Sequence, residues 1–511
     1  MKKFNNLKSW MPAFSLAAFL FAACSQTETL EDITQNSQDA APTAVQFGTY
    51  LNGGKESRAG HVGDINTTQL QQSKDQGGGF GVFAYFTGST DWSSSSEPTP
   101  NFMYNQLVTY NSTDNKWTYS PIKYWPNGNA TADNQQATGE DGGKVSFFAY
   151  APYVDVTQNS NDATKNAEPS GKDNGIIALT GNKGTGNPKV TYKLDASNPV
   201  DLLWGTRSST TSYNLAGYPS GGSQTDTGGD TKKVNTNLTK QTIGETVDFT
   251  FKHTLARIGG SPITINNAEY GGVYVALDID DNTHSSIDRE EDTDGNYLTL
   301  VTVNSITIAN TTDNDNRANS NIKSRGVFDL CNGTWDVTSA EEMTINDVVN
   351  FSSDGTTKGI NKDFAEPSSV PTFTSGSEKG WSMKGVTSTL EKLYTNKEGF
   401  LVIPSPEDQK LRITIKYTVR TYDKNLAAPA NGESNCSKVD QTITKDITFE
   451  RGLKSNKIYR LNLYLGLTSV KFDAKVVDWG DDNGDGTIGT GEGEQKQEVD
   501  LPINVSDPAT T

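Results

Sequence analysis

Histidine and cysteine are scarce here, with three of each among 511 residues. His61, His253 and His284 fall in a loop, a strand-like stretch and an acidic loop. No nucleophile pattern accompanies them, so His253 reads as a packed strand residue. A Walker A loop, a G-x-S-x-G elbow and an H-E-x-x-H pair are all missing, which removes the common signatures of phosphate transfer, serine hydrolysis and zinc proteolysis. An enzyme is therefore not expected. Basic residues are also short, 44 Lys and Arg against 62 Asp and Glu, for a net charge of −18. Nucleic acid is excluded as a partner, since phosphate binding needs a concentrated basic surface. Apolar residues make up only 33%, so cores must be thin and loops long. What the chain has instead is Gly, Ser, Thr, Asn and Asp in abundance, the composition of β-structure with elaborate turns.

The first apolar run, residues 10–23, is too short to span a bilayer as a helix. Lys2, Lys3 and Lys8 precede it and Phe21-Ala22-Ala23-Cys24 closes it, the layout of a secretory signal. With cysteine directly after Ala23, the segment resembles a bacterial lipoprotein signal, which implies acylation of Cys24 and anchoring to the outer membrane. The alternative is an ordinary secretory signal in which Cys24 is incidental. Loss of three signal lysines leaves 41 bases against 62 acids, a net of −21. Cys331 and Cys436 then remain as the candidates for thiols or for one disulfide.

Five segments are expected: a signal (1–23), a flexible tether (24–44), a first body (45–240), a second body (241–480) and an acidic, Gly-rich tail (481–511). Val45, Phe47 and Leu51 alternate with polar or small residues, giving a first strand at 45–51. A polar loop with an exposed Arg58 follows, open to a trypsin-like protease between Arg58 and Ala59. Aromatic-rich strands come next, and the low-complexity stretch 208–240 reads as the connection between the bodies. A short helix is expected within 339–349, capped by Ser339 ahead of Glu341 and Glu342. The expected class is all-β, two antiparallel β-sandwiches with long polar loops.

Several segments in order resemble the fimbrillin-like lipoproteins of the Bacteroidales, the subunits of type V pili. They are Phe47 with Ser57-Arg58-Ala59, GVFAYF (81–86), FMYNQLVTY (102–110), WTYSPIKYWP (117–126), SFFAYAP (146–152) and DLLW (201–204). The second half adds FKHTLARI (251–258), GVFDL (326–330) with Trp335, LVIP (401–404), NKIYRLNLYL (456–465) and VVDW (476–479). The resemblance implies a lipidated precursor, transthyretin-like domains, processing by an Arg-specific protease and assembly with other pilus subunits by strand exchange. Cutting after Arg58 would free the first strand with its tether and leave an apolar groove with unpaired backbone groups, which invites another strand. The C-terminus offers a donor pattern, Val499, Leu501, Ile503 and Val505 alternating with Asp500, Pro502 and Asn504. That segment is either donated or paired within its own subunit. The rival function is a monomeric surface glycan-binding lipoprotein using Trp92, Trp117, Trp125 and Trp204 as sugar platforms.

Residues 481–492, DDNGDGTIGTGE, fit D-x-[DN]-x-[DN]-G-x5-E. The spacing places Asp481, Asn483, Asp485, the Thr487 carbonyl and Glu492 around one calcium ion, with Gly486 at the sharp turn. Flanking helices are not expected here.

Overall fold

The computed structural model describes residues 43–51, 65–92, 98–126, 143–195, 198–208, 234–241, 244–265, 268–277, 299–310, 322–337, 346–350, 399–422, 436–449, 451–465, 470–478 and 497–499, with short pieces at 213–214, 225–226, 381–382, 391–392 and 425–427. Strands dominate, as composition requires. In the first half lie β1 (Phe47–Leu51), β2 (Phe80–Gly88), β3 (Met103–Asn111), β4 (Lys144–Ala151), β5 (Leu203–Arg207) and β6 (Val247–His253). Further on come β7 (Ala256–Ile258), β8 (Val273–Leu277), β9 (Thr299–Asn310), β10 (Gln409–Tyr422), β11 (Cys436–Phe449), β12 (Lys457–Leu465), β13 (Val470–Asp478) and β14 (Gln497–Val499).

The principal sheet runs β1-β6-β5-β4-β2-β3 and ends on Lys116–Thr118, while Asn235–Leu238 also pairs with β4. Its central strands carry apolar residues on both faces because both faces are covered. Phe80, Val82, Phe147, Phe249 and Phe251 pack on one side with Val45, Phe47 and Trp125. From the opposite side, Phe83, Tyr85, Phe148 and Tyr150 join a core with Val190, Tyr192 and Phe328. Those three belong to a four-stranded sheet in which Arg325–Asp329 lies between Thr334–Asp336 and Lys189–Lys193. Each fully buried phenylalanine contributes about 1.5–3 kcal/mol relative to exposure, so β2 and β4 anchor the fold.

In the second half, β12 is bordered along one edge by β7 and β8 and along the other by β13, on which β14 lies. A separate sheet runs from Asn346–Asn350 through β9 and β10 to β11. Leu401, Ile413, Tyr417, Phe449, Ile458 and Leu461 continue the same buried core.

Four expectations change. Strand pairing crosses residue 240: β6 sits between β1 and β5, and Arg325–Asp329 pairs with Lys189–Lys193. Val247, Phe249 and Phe251 match the apolar face of the first sheet, which decides their place regardless of the polar stretch before them. Pairing is not purely antiparallel, since β1 runs parallel to β6 and β12 runs parallel to β7 and β8. The β-branched pair Val348-Val349 makes Asn346–Asn350 a strand rather than the end of a helix. A one-turn helix occurs instead at Thr67–Leu70, closed by a capping box between Asn66 and Gln69 and fixed by buried Leu70. Among the described residues, no helix is long and apolar enough to cross a membrane.

Candidate functional site

The edge occupied by the first strand is the site the sequence singles out, and it is built from two supports. Residues 43–46 lie along the segment 123–125: Val45 N–H donates to the Lys123 carbonyl at 2.9 Å and Trp125 N–H to the Thr43 carbonyl at 2.9 Å. At residue 46 the partner changes, with Val247 N–H donating to the Gln46 carbonyl at 2.7 Å. From there β1 follows β6 in parallel register, Phe47 opposite Val247 through Leu51 opposite Phe251. The strand was expected over 45–51; it begins at Phe47, because residues 43–46 are held by the other support.

Side chains seat the segment more firmly than its edge position suggests. Val45 is 1% exposed and Phe47 3%. The Phe47 ring lies 5.3 Å from Tyr119, 6.0 Å from Phe147, 6.0 Å from Phe249 and 6.4 Å from Phe80, in tilted, edge-on and stacked arrangements. Tyr119 also donates its hydroxyl to the Val45 carbonyl at 2.9 Å and accepts from Lys123 N–H at 3.2 Å. Burial raises the Tyr119 phenol above its ordinary pKa, so it stays a donor at neutral pH. Burying Val45 and Phe47 contributes about 3–6 kcal/mol together, an upper range. Without this segment, the outer edge of β6 and the Trp125 N–H would lose their partners, and a pocket lined by four aromatic rings would open.

Other expected site residues are placed unevenly. Cys24, Arg58, Ala59, the loop Asp481, Asn483, Asp485, Thr487 and Glu492, and Leu501, Ile503 and Val505 lie outside the described residues. Val499 ends β14, which pairs antiparallel with β13 of its own chain, Phe472 opposite Val499. Among the described residues, no cluster of three or more His, Cys, Asp or Glu side chains forms a cation site. Cys331 is a free thiol whose pKa is raised by burial.

The four tryptophans considered as sugar platforms are packed. Trp92 lies 4.7 Å from Tyr85 and 5.0 Å from Phe148. Trp117 abuts Phe80 and Tyr110, Trp125 is 3% exposed beside Phe147, and Trp204 donates Nε1–H to the Leu330 carbonyl at 2.8 Å. His253 is a core residue, its Nδ1 2.5 Å from Asp201 Oδ2.

Sequence reasoning missed the 123–125 support and the part played by Tyr119. The alternation of Ile122, Tyr124 and Trp125 carried the signal, since Tyr124 is 51% exposed while Trp125 turns inward.

No family model matches the chain. A fimbrium subunit, Fim1C of Phocaeicola vulgatus, is 29% identical over 184 residues, which cover 36% of this chain. Over that stretch the chain is similar to a fimbrium subunit. The match spans 38% of that relative's own length. Among solved structures, a fimbrial protein from Bacteroides vulgatus is 19% identical with a TM-score of 0.48, covering 86% of this chain and 99% of that one.

Proposed function

We propose that this chain is a structural subunit of a surface fimbria that acts in adhesion and assembles by exchange of edge strands. The observation that supports this most is the seat of β1. One segment bridges two supports, its Phe47 ring fills a four-ring pocket, and in sequence it lies between Cys24 and Arg58. In this reading Cys24 is lipidated, the chain reaches the outer membrane through the periplasm, and an Arg-specific protease cuts between Arg58 and Ala59. The segment ending at Arg58 then leaves, and a strand of a neighbouring subunit takes its place. Val499, Leu501, Ile503 and Val505 are what this chain offers in turn. Calcium at Asp481, Asn483, Asp485, Thr487 and Glu492 would stiffen the approach to that ribbon.

An Arg58→Ala variant tests the reading. Mixed with subunits able to complete the seat, the folded variant should remain monomeric under an Arg-specific protease while the parent sequence forms multimers. Equal multimer formation by both would remove cleavage at Arg58 from the account.

A further inference from the structure

The seat of β1 also carries a restriction on what can replace it. Residues paired in register share a face of the sheet, so with Phe47, Val247 and Phe249 turned to the core, Gly48 and Asp248 lie together on the opposite face. Asp248 leans across Gly48. A Cβ added at residue 48 would stand 2.0 Å from Asp248 Oδ1, and 3.1 Å from both Asp248 Cγ and Thr246 Oγ1. The carboxylate is held there, since Thr246 Oγ1 donates to Asp248 Oδ1 at 2.6 Å. No side chain other than hydrogen fits opposite Asp248 unless that bond breaks and the carboxylate swings away.

We infer that Asp248 is a specificity-determining residue of this seat: it admits a strand with glycine directly after the residue that fills the Phe47 pocket, and it turns away this chain's own C-terminal ribbon. The inference rests on the exchange reading for its consequence, though not for its geometry. The seat asks for an aliphatic residue at the place of Val45, an N–H there to reach the Lys123 carbonyl, an aromatic residue at the place of Phe47 and glycine next. The ribbon at 499–505 fails at the last step in every register that keeps its apolar residues in the pocket. With Val499, Leu501, Ile503 or Val505 in place of Phe47, the residue facing Asp248 becomes Asp500, Pro502, Asn504 or Ser506. Each carries a Cβ, and Asp500 adds a like charge. In the direction taken by β1, the fitting partner is therefore a different chain carrying the glycine step, and the assembly is a heteropolymer at this joint.

The full-length chain tests the lock directly. Gly48→Val should strengthen a strand by intrinsic preference, yet the lock predicts that it speeds amide exchange across residues 47–51 by about tenfold or more. Adding Asp248→Ala to Gly48→Val should bring exchange back to within about threefold of Asp248→Ala alone. Unchanged exchange in Gly48→Val, or acceleration that persists beside Asp248→Ala, would overturn the lock. Selectivity is read on the Arg-cleaved protein with two labelled peptides, residues 43–51 and residues 497–507. Uptake of the first with at least about tenfold preference supports the inference, and equal uptake of both would overturn it. Uptake of neither would contradict strand exchange itself, while the exchange rates still decide the lock.

Discussion

The Tyr119 hydroxyl donates to the Val45 carbonyl across 2.9 Å, joining the segment before β1 to a residue 74 positions later. With the backbone bonds at Lys123 and Trp125, it ties the support at 119–125 to the edge segment. Tyr119→Phe keeps the ring beside Phe47 and deletes the hydroxyl, which donates to the Val45 carbonyl and accepts from Lys123 N–H. The loss should be about 1 kcal/mol, seen as roughly fivefold faster exchange of the amides at residues 45–49, with the main unfolding transition little moved. A shift of the main transition with no change at 45–49 would place Tyr119 in the global core instead.

Edge and centre should respond differently to the same deletion. Phe83 sits in central β2 at full burial, so Phe83→Ala should cost the whole molecule about 3–5 kcal/mol in denaturant melts. Phe47→Ala removes a ring of the same size from the edge segment that is proposed to leave. Its principal effect should be earlier proteolysis within residues 43–58, with a smaller loss in the melt. Equal melts for the two variants would mean that β1 unfolds only with the rest.

Asp201 and His253 form a buried pair at the point where the chain passes from β6 towards β7. Asp201 Oδ2 also accepts from Ile65 N–H at 3.3 Å, and His253 N–H donates to Asn456 Oδ1 at 3.2 Å. Asp201→Ala strips the partner from Ile65 N–H and from His253 Nδ1 and should cost about 1–3 kcal/mol, the usual penalty for leaving buried polar groups unsatisfied. Equilibrium denaturation measures it, and a loss below about 1 kcal/mol would show that the site repacks freely.

Alkali should unfold the chain through its buried phenols. Burial pushes Tyr459 up to about 12 and raises Tyr150 and Tyr192 well above the ordinary value. The folded state therefore binds protons more tightly than the unfolded chain. This contribution is fully present below about pH 10 and is lost as pH rises from about 10 through the folded values. For Tyr459 it amounts to about 2–3 kcal/mol. Tyrosinate absorbance should lag behind that of the unfolded chain and then rise together with loss of structure. A simple titration near pH 10 in the folded protein would contradict this.

Calcium titration calorimetry on the folded protein, against a variant carrying Asp481→Ala and Asp485→Ala, checks the acidic loop. Heat of binding in the parent and none in the variant is expected. Equal heats would remove the site.

Much of the fold was legible because its central strands are aromatic on both faces. GVFAYF, SFFAYAP and FKHTLARI each hold a buried strand, and Val45 with Phe47 announced the edge. Direction was not legible, since a period of two looks alike in parallel and antiparallel strands; β1 and β12 show this. Residues 208–240 resembled a boundary because polarity marks loops wherever they occur, inside a domain or between two. The helix at Thr67–Leu70 is one turn with one buried residue, too short for a periodicity to develop. At the site, Val45 and Phe47 could be read, whereas Tyr119, Lys123 and Trp125 approach them only through the fold. Gly48 carried no signal until Asp248 was placed opposite it.

The most direct measurement of the central claim is native mass spectrometry of the full-length protein, mixed with subunits able to complete its seat, during Arg-specific digestion. The account predicts that residues up to 58 leave the folded body and that multimers appear as they go. A body that keeps the 43–58 fragment seated against β6, or that loses it and stays monomeric beside the subunits able to complete its seat, would contradict the account.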